Sequence, residues 1–194
     1  MFSKGVPPLS FIISAPAGTG KTTLVNLLLE EHPMMRKHVS YTTRKPREGE
    51  KQGHDYWFLQ ENEFFQKQDD FLESITHTSG HYATSKSQLE SNRAKGMHTI
   101  FVIDVEGALR LMKEIACVTL FLLPPSYKEL ERRLTSRNTE TDEEIKIRLD
   151  RAKKELEMLP YYDYYIINDV LEESYTILKS IVQAEEHKTK YLRT

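Results

Sequence analysis

The sequence predicts an α/β fold, one three-layer domain in which a parallel sheet lies between helices. Three observations predict it. Short apolar runs recur along the chain, segments of helical periodicity separate them, and a glycine-rich loop joins the first run to the first helical segment. Alternation of β and α demands crossover connections, so neighbouring strands run parallel and are covered on both faces.

In chain order, Phe11-Ile12-Ile13 is the first buried strand, and Lys21 to Glu31 the first helix, with Leu24, Leu27 and Leu28 on one face. From about His38 to Tyr82 the alternation lapses. Turn residues and period-two patterns there (Val39, Tyr41, Thr43; Tyr56, Phe58) predict a small, mostly β excursion. The rhythm returns with a helix over Lys86 to Lys95, a strand over Thr99 to Ile103, a helix over Gly107 to Glu114 and a strand over Val118 to Leu123. After Pro124-Pro125, Ser126-x-x-Glu129 and Thr141-x-x-Glu144 each have capping-box spacing before an amphipathic run. That spacing predicts two helices joined near Arg137-Asn138-Thr139-Glu140, a mobile hairpin. Tyr164 to Ile167 is the last strand, and the helix from Leu171 dissolves into the polar tail His187 to Thr194. One domain, 1–194, is expected: a core of 1–37, 86–125 and 159–194, the β excursion over about 38–85, and the hairpin over about 126–158. Ligands of such sheets bind beyond the carboxyl ends of the strands, where Ser14, Asp104 and Asn168 fall.

The 27 Lys and Arg nearly cancel the 29 Asp and Glu, so no global field recruits nucleic acid or a membrane surface. A polyanionic ligand must be held by a local basic cluster. The single cysteine, Cys117, lies in an apolar run and reads as a small core residue, with no disulfide framework to build. Met1 to Pro8 has no apolar leader segment, and no stretch reaches the about 18 apolar residues that span a bilayer. A soluble, cytoplasmic protein is expected, monomer or homodimer.

Ala15-Pro16-Ala17-Gly18-Thr19-Gly20-Lys21-Thr22-Thr23 follows a strand and opens a helix, the context a phosphate-binding P-loop requires. Its N–H groups wrap a β-phosphate, the helix N-terminus adds partial positive charge, Lys21 reaches the β and γ oxygens, and the Thr22 hydroxyl ligates Mg²⁺. Ala15 stands where glycine is usual. ATP with Mg²⁺ is the expected co-substrate.

Ser40-Tyr41-Thr42-Thr43-Arg44-Lys45-Pro46-Arg47-Glu48-Gly49-Glu50 and Gly53-His54-Asp55-Tyr56 form the basic cluster. Two guanidinium forks beside hydroxyl donors suit a phosphomonoester dianion. Through the run Ser-x-Thr-Thr-Arg-x-Pro-Arg-x-Gly-Glu the chain resembles guanylate kinases, and the resemblance extends from the P-loop to Asn168-Asp169. It implies transfer of the ATP γ-phosphoryl group to GMP, with dGMP a further candidate. It also implies that Ser40, Arg44, Arg47, Tyr56 and Tyr82 hold the GMP phosphate, Arg44 serving catalysis as well. Glu73 and Thr84 would read guanine, the carboxylate accepting from N1–H and N2–H₂ and the hydroxyl donating to O6. Asp104 would either face the guanine or orient Mg²⁺ through water. Val102 departs from the family, which often carries a second acidic residue there.

The Arg-x-x-x-Arg-x-Thr-Glu pattern over Arg133 and Arg137 resembles the lid of that family, with Asn138 replacing its glycine. Arg137 and Arg148 are the expected catalytic arginines; Arg132 and Arg151 read as a charged solvent face. Asn168 resembles an adenine-edge contact, and a strand-ending Asx turn explains it as well. His77 and His81, four apart but off any helix, do not form a metal pair. Phe64, Phe65 and Tyr161 to Tyr165 read as core and its margin. Two other functions fit parts of the pattern. Another nucleoside monophosphate kinase would share Lys21 and the lid arginines but not Glu73 with Thr84. A non-catalytic scaffold module on the same fold would have lost Lys21 or the loop glycines, and ATP binding separates it.

Overall fold

The computed structural model describes residues 3–136 and 142–193. The elements are β1 (Ser3–Lys4), β2 (Ser10–Ser14), α1 (Lys21–Glu31), β3 (Met35–Lys37), β4 (Tyr41–Thr42), β5 (Trp57–Phe58), α2 (Glu61–Phe65), β6 (Phe71–His77), β7 (Gly80–Ser85) and α3 (Lys86–Ala94). They continue with β8 (His98–Val102), α4 (Val105–Glu114), β9 (Val118–Leu123), α5 (Tyr127–Thr135), α6 (Asp142–Leu156), β10 (Tyr164–Ile167), α7 (Leu171–Glu186) and β11 (Leu192–Arg193).

The central sheet has five parallel strands in the order β10-β9-β2-β8-β3. Strand alternation sorts its side chains into two layers. Phe11, Ile13, Ile100, Leu120 and Leu122 face Leu24, Val25 and Leu28 of α1 and Leu178, Ile181 and Val182 of α7. Ile12 and Phe101 face Leu89 of α3 and Ala108 and Leu111 of α4. Helices therefore cover both faces, as the uninterrupted apolar runs require. On α1 the buried face is Leu24, Val25 and Leu28, and Leu27 is only partly buried.

The β excursion is a separate four-stranded sheet, β5-β4-β7-β6, in which β6, β7 and β4 are antiparallel and β5 joins β4 in parallel. Phe64 of α2 is buried against it, with ring contacts to Phe71 and His81. After α5, capped by the Ser126 hydroxyl accepting from Glu129 N–H at 3.1 Å, comes α6. These two helices bury their own cluster of Leu130, Leu134, Ile145 and Ala152. Thr141, the second expected cap, and the joint at 137–140 lie outside the described residues.

The tail does not dissolve. Leu192 and Arg193 pair antiparallel with Lys4 and Ser3. Backbone pairing needs no apolar pattern, which is why the polar tail gave no sign of it. Two of the expected margin aromatics are on the surface, Tyr161 and Tyr165, as is Phe65. Among the described residues no helix is long and apolar enough to cross a membrane.

Candidate active site

The P-loop leaves β2 at Ser14 and enters α1 through Gly20. Gly18 and Gly20 hold φ of 89° and 92°, a left-handed backbone that a side chain would strain. A Cβ at Gly20 would meet Asn168 Nδ2 at 2.6 Å, and one at Gly18 would meet Leu134 Cδ2 at 3.2 Å. Thr19 is buried and donates its hydroxyl to Pro16 O at 2.8 Å, while Asn168 Nδ2 donates to Thr19 O at 2.6 Å. The loop is thus braced from inside and from the end of β10. Lys21 Nζ donates to Ala15 O at 2.5 Å across the loop, and Thr22 and Thr23 are exposed on the first turn of α1. Asn168 commits its amide to the loop, a third role beside the two the sequence offered.

In the β excursion Arg44 is buried, with Nη1 and Nη2 on Glu50 at 3.0 and 2.8 Å and Nε donating to the Tyr82 hydroxyl at 3.1 Å. Its guanidinium sits 5.4 Å from the centre of the Tyr56 ring, itself edge-on to Tyr82. Arg44, Tyr56 and Tyr82 are therefore one cluster. Arg47 is exposed, and its N–H donates to Glu50 Oε2 at 2.7 Å. Ser40 is buried, its carbonyl accepting from Trp57 N–H at 2.9 Å. Against the cost of partial burial, the Arg44 guanidinium and the Arg47 N–H hold Glu50 below the usual carboxylate range. Sequence reasoning quoted Glu50 without a role; an acidic residue closing a basic run was the available signal.

A second cluster forms where β6 and β7 pair. The register shift between Phe71 and Glu73 places Glu73 opposite Thr84, and the buried Thr84 hydroxyl donates to Glu73 Oε1 at 2.7 Å. The other oxygen, Oε2, is buried with no partner, and a Cβ on Gly107 would approach it to 3.4 Å. Burial pushes the Glu73 carboxyl up to about 7, with the Thr84 hydroxyl opposing and the Asp104 charge adding to the rise. Glu73 is no solvated strand-end carboxylate.

Asp104 caps α4, its Oδ1 accepting from Gly107 N–H at 2.9 Å. Helix α4 consequently begins two residues before the expected Gly107. Asp104 Oδ2 accepts from His77 Nε2 at 2.6 Å and from Arg151 Nη2 at 2.9 Å. Arg151 is thus not a plain solvent-face residue: it reaches from α6 to the end of β8 and also pairs with Glu155 at 2.8 Å. Arg132 does lie on an exposed pair with Glu129. Arg133 donates to Glu129 and, at 3.1 Å, to Asn168 O. Arg148 is partly buried on α6, and Arg137 lies outside the described residues. Among the described residues no cluster of three His, Cys, Asp or Glu could hold a metal by itself.

A loop of P-loop sequence, a cluster of Arg44 with two tyrosines and a buried carboxylate facing a glycine make up the candidate site. The family profile described as guanylate kinase matches residues 9–185. Guanylate kinase of Protochlamydia amoebophila is 51% identical over 180 residues, covering 92% of this chain and 91% of the relative. That of Chlamydia felis is 48% identical over 184 residues, covering 93% and 90%. The crystal structure of guanylate kinase from Anaplasma phagocytophilum superposes with a TM-score of 0.79 at 33% identity, covering 99% of this chain and 92% of that one.

Proposed function

The chain belongs to the guanylate kinase family, and on that premise we propose how its own residues carry ATP-dependent phosphorylation of GMP. It is an ATP:GMP phosphotransferase. The observation that carries the assignment of roles is Glu73: a buried carboxylate with one oxygen on Thr84 and the other unpartnered, facing Gly107. Guanine offers two adjacent donors to such a group, whereas adenine presents an acceptor at N1 and would leave the carboxylate unpaired at a cost of several kcal/mol.

GMP enters with its base between β6 and the start of α4 and its phosphate toward Arg44, Tyr56 and Tyr82. Ser40 and Arg47 complete the phosphate site, Arg47 swinging in from solvent. The Arg44 fork is held on Glu50, so the guanidinium is pre-aimed and loses little rotamer freedom when the phosphate arrives. The acceptor phosphate oxygen is already anionic and needs no general base. It attacks the γ-phosphorus in line, and the β–γ bridging oxygen leaves as part of ADP. Lys21, Arg137 and Arg148 offset the charge that spreads over the transferring oxygens. ATP binds the loop from Ala15 to Thr23, with Asn168 acting through Thr19 as a brace.

The exposed Thr22 hydroxyl at the first turn of α1 is an oxygen donor of the kind Mg²⁺ takes, alongside the nucleotide's own phosphates, and the Asp104 carboxylate, already engaged by Gly107, His77 and Arg151, would act on the ion only through water. Mg²⁺ bound there would neutralise the β and γ oxygens. We place the acceptor-binding unit at about 38–85, the lid at about 126–158 and the reaction in the cytoplasm, with dGMP as a second acceptor. ADP release measured with GMP, AMP, UMP and CMP in turn tests the reading. Turnover with GMP and at least a tenfold lower kcat/KM with AMP is expected; equal use of AMP would overturn the role of Glu73.

A further inference from the structure

One oxygen, Asp104 Oδ2, receives hydrogen bonds from two elements that belong to neither its strand nor its helix. His77 closes β6 in the acceptor sheet and reaches it at 2.6 Å; Arg151 lies midway along α6 of the helical hairpin and reaches it at 2.9 Å. Asp104 itself is fixed to the core, because its other oxygen caps α4 through Gly107 N–H. The acceptor sheet, the hairpin and the core therefore meet at a single carboxylate.

We propose that His77 and Arg151 are positioning residues for the transfer reaction, coupling the acceptor sheet to the lid through Asp104. The inference rests on the guanylate kinase reading above and goes beyond it, since neither residue needs to touch a nucleotide.

Stability is a poor explanation of the arrangement. The Arg151 side chain is 47% exposed, and an ion pair so open to water contributes little to folding. What the geometry does supply is direction. Asp104 Oδ1 is anchored, so its Oδ2 lone pairs point to a fixed place, and a donor arriving from one side orients the oxygen for the donor on the other. Guanine hydrogen-bonded to Glu73 would fix the end of β6 beside the start of α4, where Arg110 of α4 already donates to Ser74 O of β6 at 2.7 Å. That holds His77 on Asp104 and makes the Arg151 contact, hence lid closure over ATP, more favourable. By reciprocity ATP favours GMP to the same extent.

The test is calorimetric titration of an ATP analogue carrying a methylene bridge between its β and γ phosphorus atoms, with Mg²⁺, in the absence and presence of saturating GMP. In the unaltered protein GMP tightens the analogue at least fivefold. His77→Phe keeps the ring that lies 5.7 Å from Tyr82 but loses the donor, and Arg151→Met keeps the stem but loses the charge. Each reduces the tightening below twofold while changing the affinity for GMP alone by less than twofold. His77→Gln and Arg151→Lys, which restore a donor, recover most of it, and the double variant His77→Phe with Arg151→Met is no worse than either alone. A tightening within twofold of the unaltered value in both donor-less variants overturns the proposal, as does its absence from the unaltered protein. Failure of the underlying reading shows differently, as no binding of either nucleotide to the unaltered protein.

Discussion

Glu73, the residue proposed to read guanine, is carried against stability. Its carboxyl titrates near 7 in the fold and at 4.5 when free. A group whose folded pKa is raised contributes stability that is complete below the unfolded value and is lost as pH rises through the folded one. The window is therefore from 4.5 to about 7, and above it the buried charge costs roughly 3 kcal/mol, about 1.4 per unit. Glu73→Gln should raise the melting temperature at pH 8 and leave it nearly unchanged at pH 4, and it should lose GMP affinity at pH 8, where the carboxylate is charged, with little further loss at pH 4; thermal scans at the two pH values check the first half and titration the second. In the unaltered protein GMP affinity should fall as pH drops below 7, ahead of the acceptor phosphate's own ionisation near 6. Lys21 separates binding from chemistry. Lys21→Ala should lower kcat by orders of magnitude with GMP binding nearly intact, since the ammonium acts on the donor phosphates. Near-normal kcat would remove the P-loop from the mechanism. Arg44→Ala, by contrast, should cost about 1.5–3 kcal/mol of GMP binding and free Glu50, which a titration of GMP reads directly.

At the scale of elements, the P-loop is a strained turn held by its neighbours. Gly20 caps α1 at φ 92° with Asn168 Nδ2 where a Cβ would need to be. Gly20→Ala should therefore lose ATP-analogue binding even if the fold survives, and Asn168→Ala should weaken it through the freed Thr19 carbonyl. A Gly20→Ala protein that bound the analogue as tightly as the original would show that the left-handed turn is dispensable. These elements also show what a single sequence reveals. The central strands were legible because burial on both faces forces continuous apolar runs: Val118–Leu123 and Tyr164–Ile167 fall where the runs do. Met35–Lys37 was missed because only Met35 of its three residues is buried, and Leu192–Arg193 because a two-residue pairing leaves no period to detect. Motif residues with sharp chemistry, Lys21, Arg44, Glu73 and Thr84, could be named from their residue types, and the structure gives each of them polar contacts: Lys21 on the loop, Arg44 on Tyr82, and Thr84 on Glu73. The contacts that support them could not be named. Glu50 under Arg44, Asn168 under Thr19 and Arg151 on Asp104 act through tertiary approach between segments up to 149 residues apart. Charge and polarity alone make such residues look like surface.

For the whole molecule the question is which parts move as units. The four-stranded sheet joins the core through two adjacent segments, and they are latched together. His38 is buried and stacked on Phe101 at 4.8 Å, its Nε2 donating to Ser85 O at 3.1 Å, while Val39 N–H donates to Gln88 Oε1 at 3.1 Å. Burial pushes His38 down to about 4 from 6.5, so it is neutral at physiological pH, and the stability it contributes above 6.5 is lost as pH falls toward 4. The helical hairpin is likewise a unit, with its own buried cluster and a footing on the P-loop where Leu134 meets Gly18. Transfer to GMP rather than to water requires the donor phosphate to be enclosed only when the acceptor is present. On the roles proposed for Arg44 and Arg47 in one unit and Arg148 in the other, the two units would provide that enclosure around the loop. ATP hydrolysis without GMP should therefore be slow. Addition of a bisubstrate analogue should reduce the radius of gyration in solution scattering and raise hydrogen-exchange protection in α5, α6, β6 and β7, with the central sheet unchanged. An unaltered radius together with identical protection in all four elements would sink the closure mechanism, and with it the transition-state role of the lid arginines.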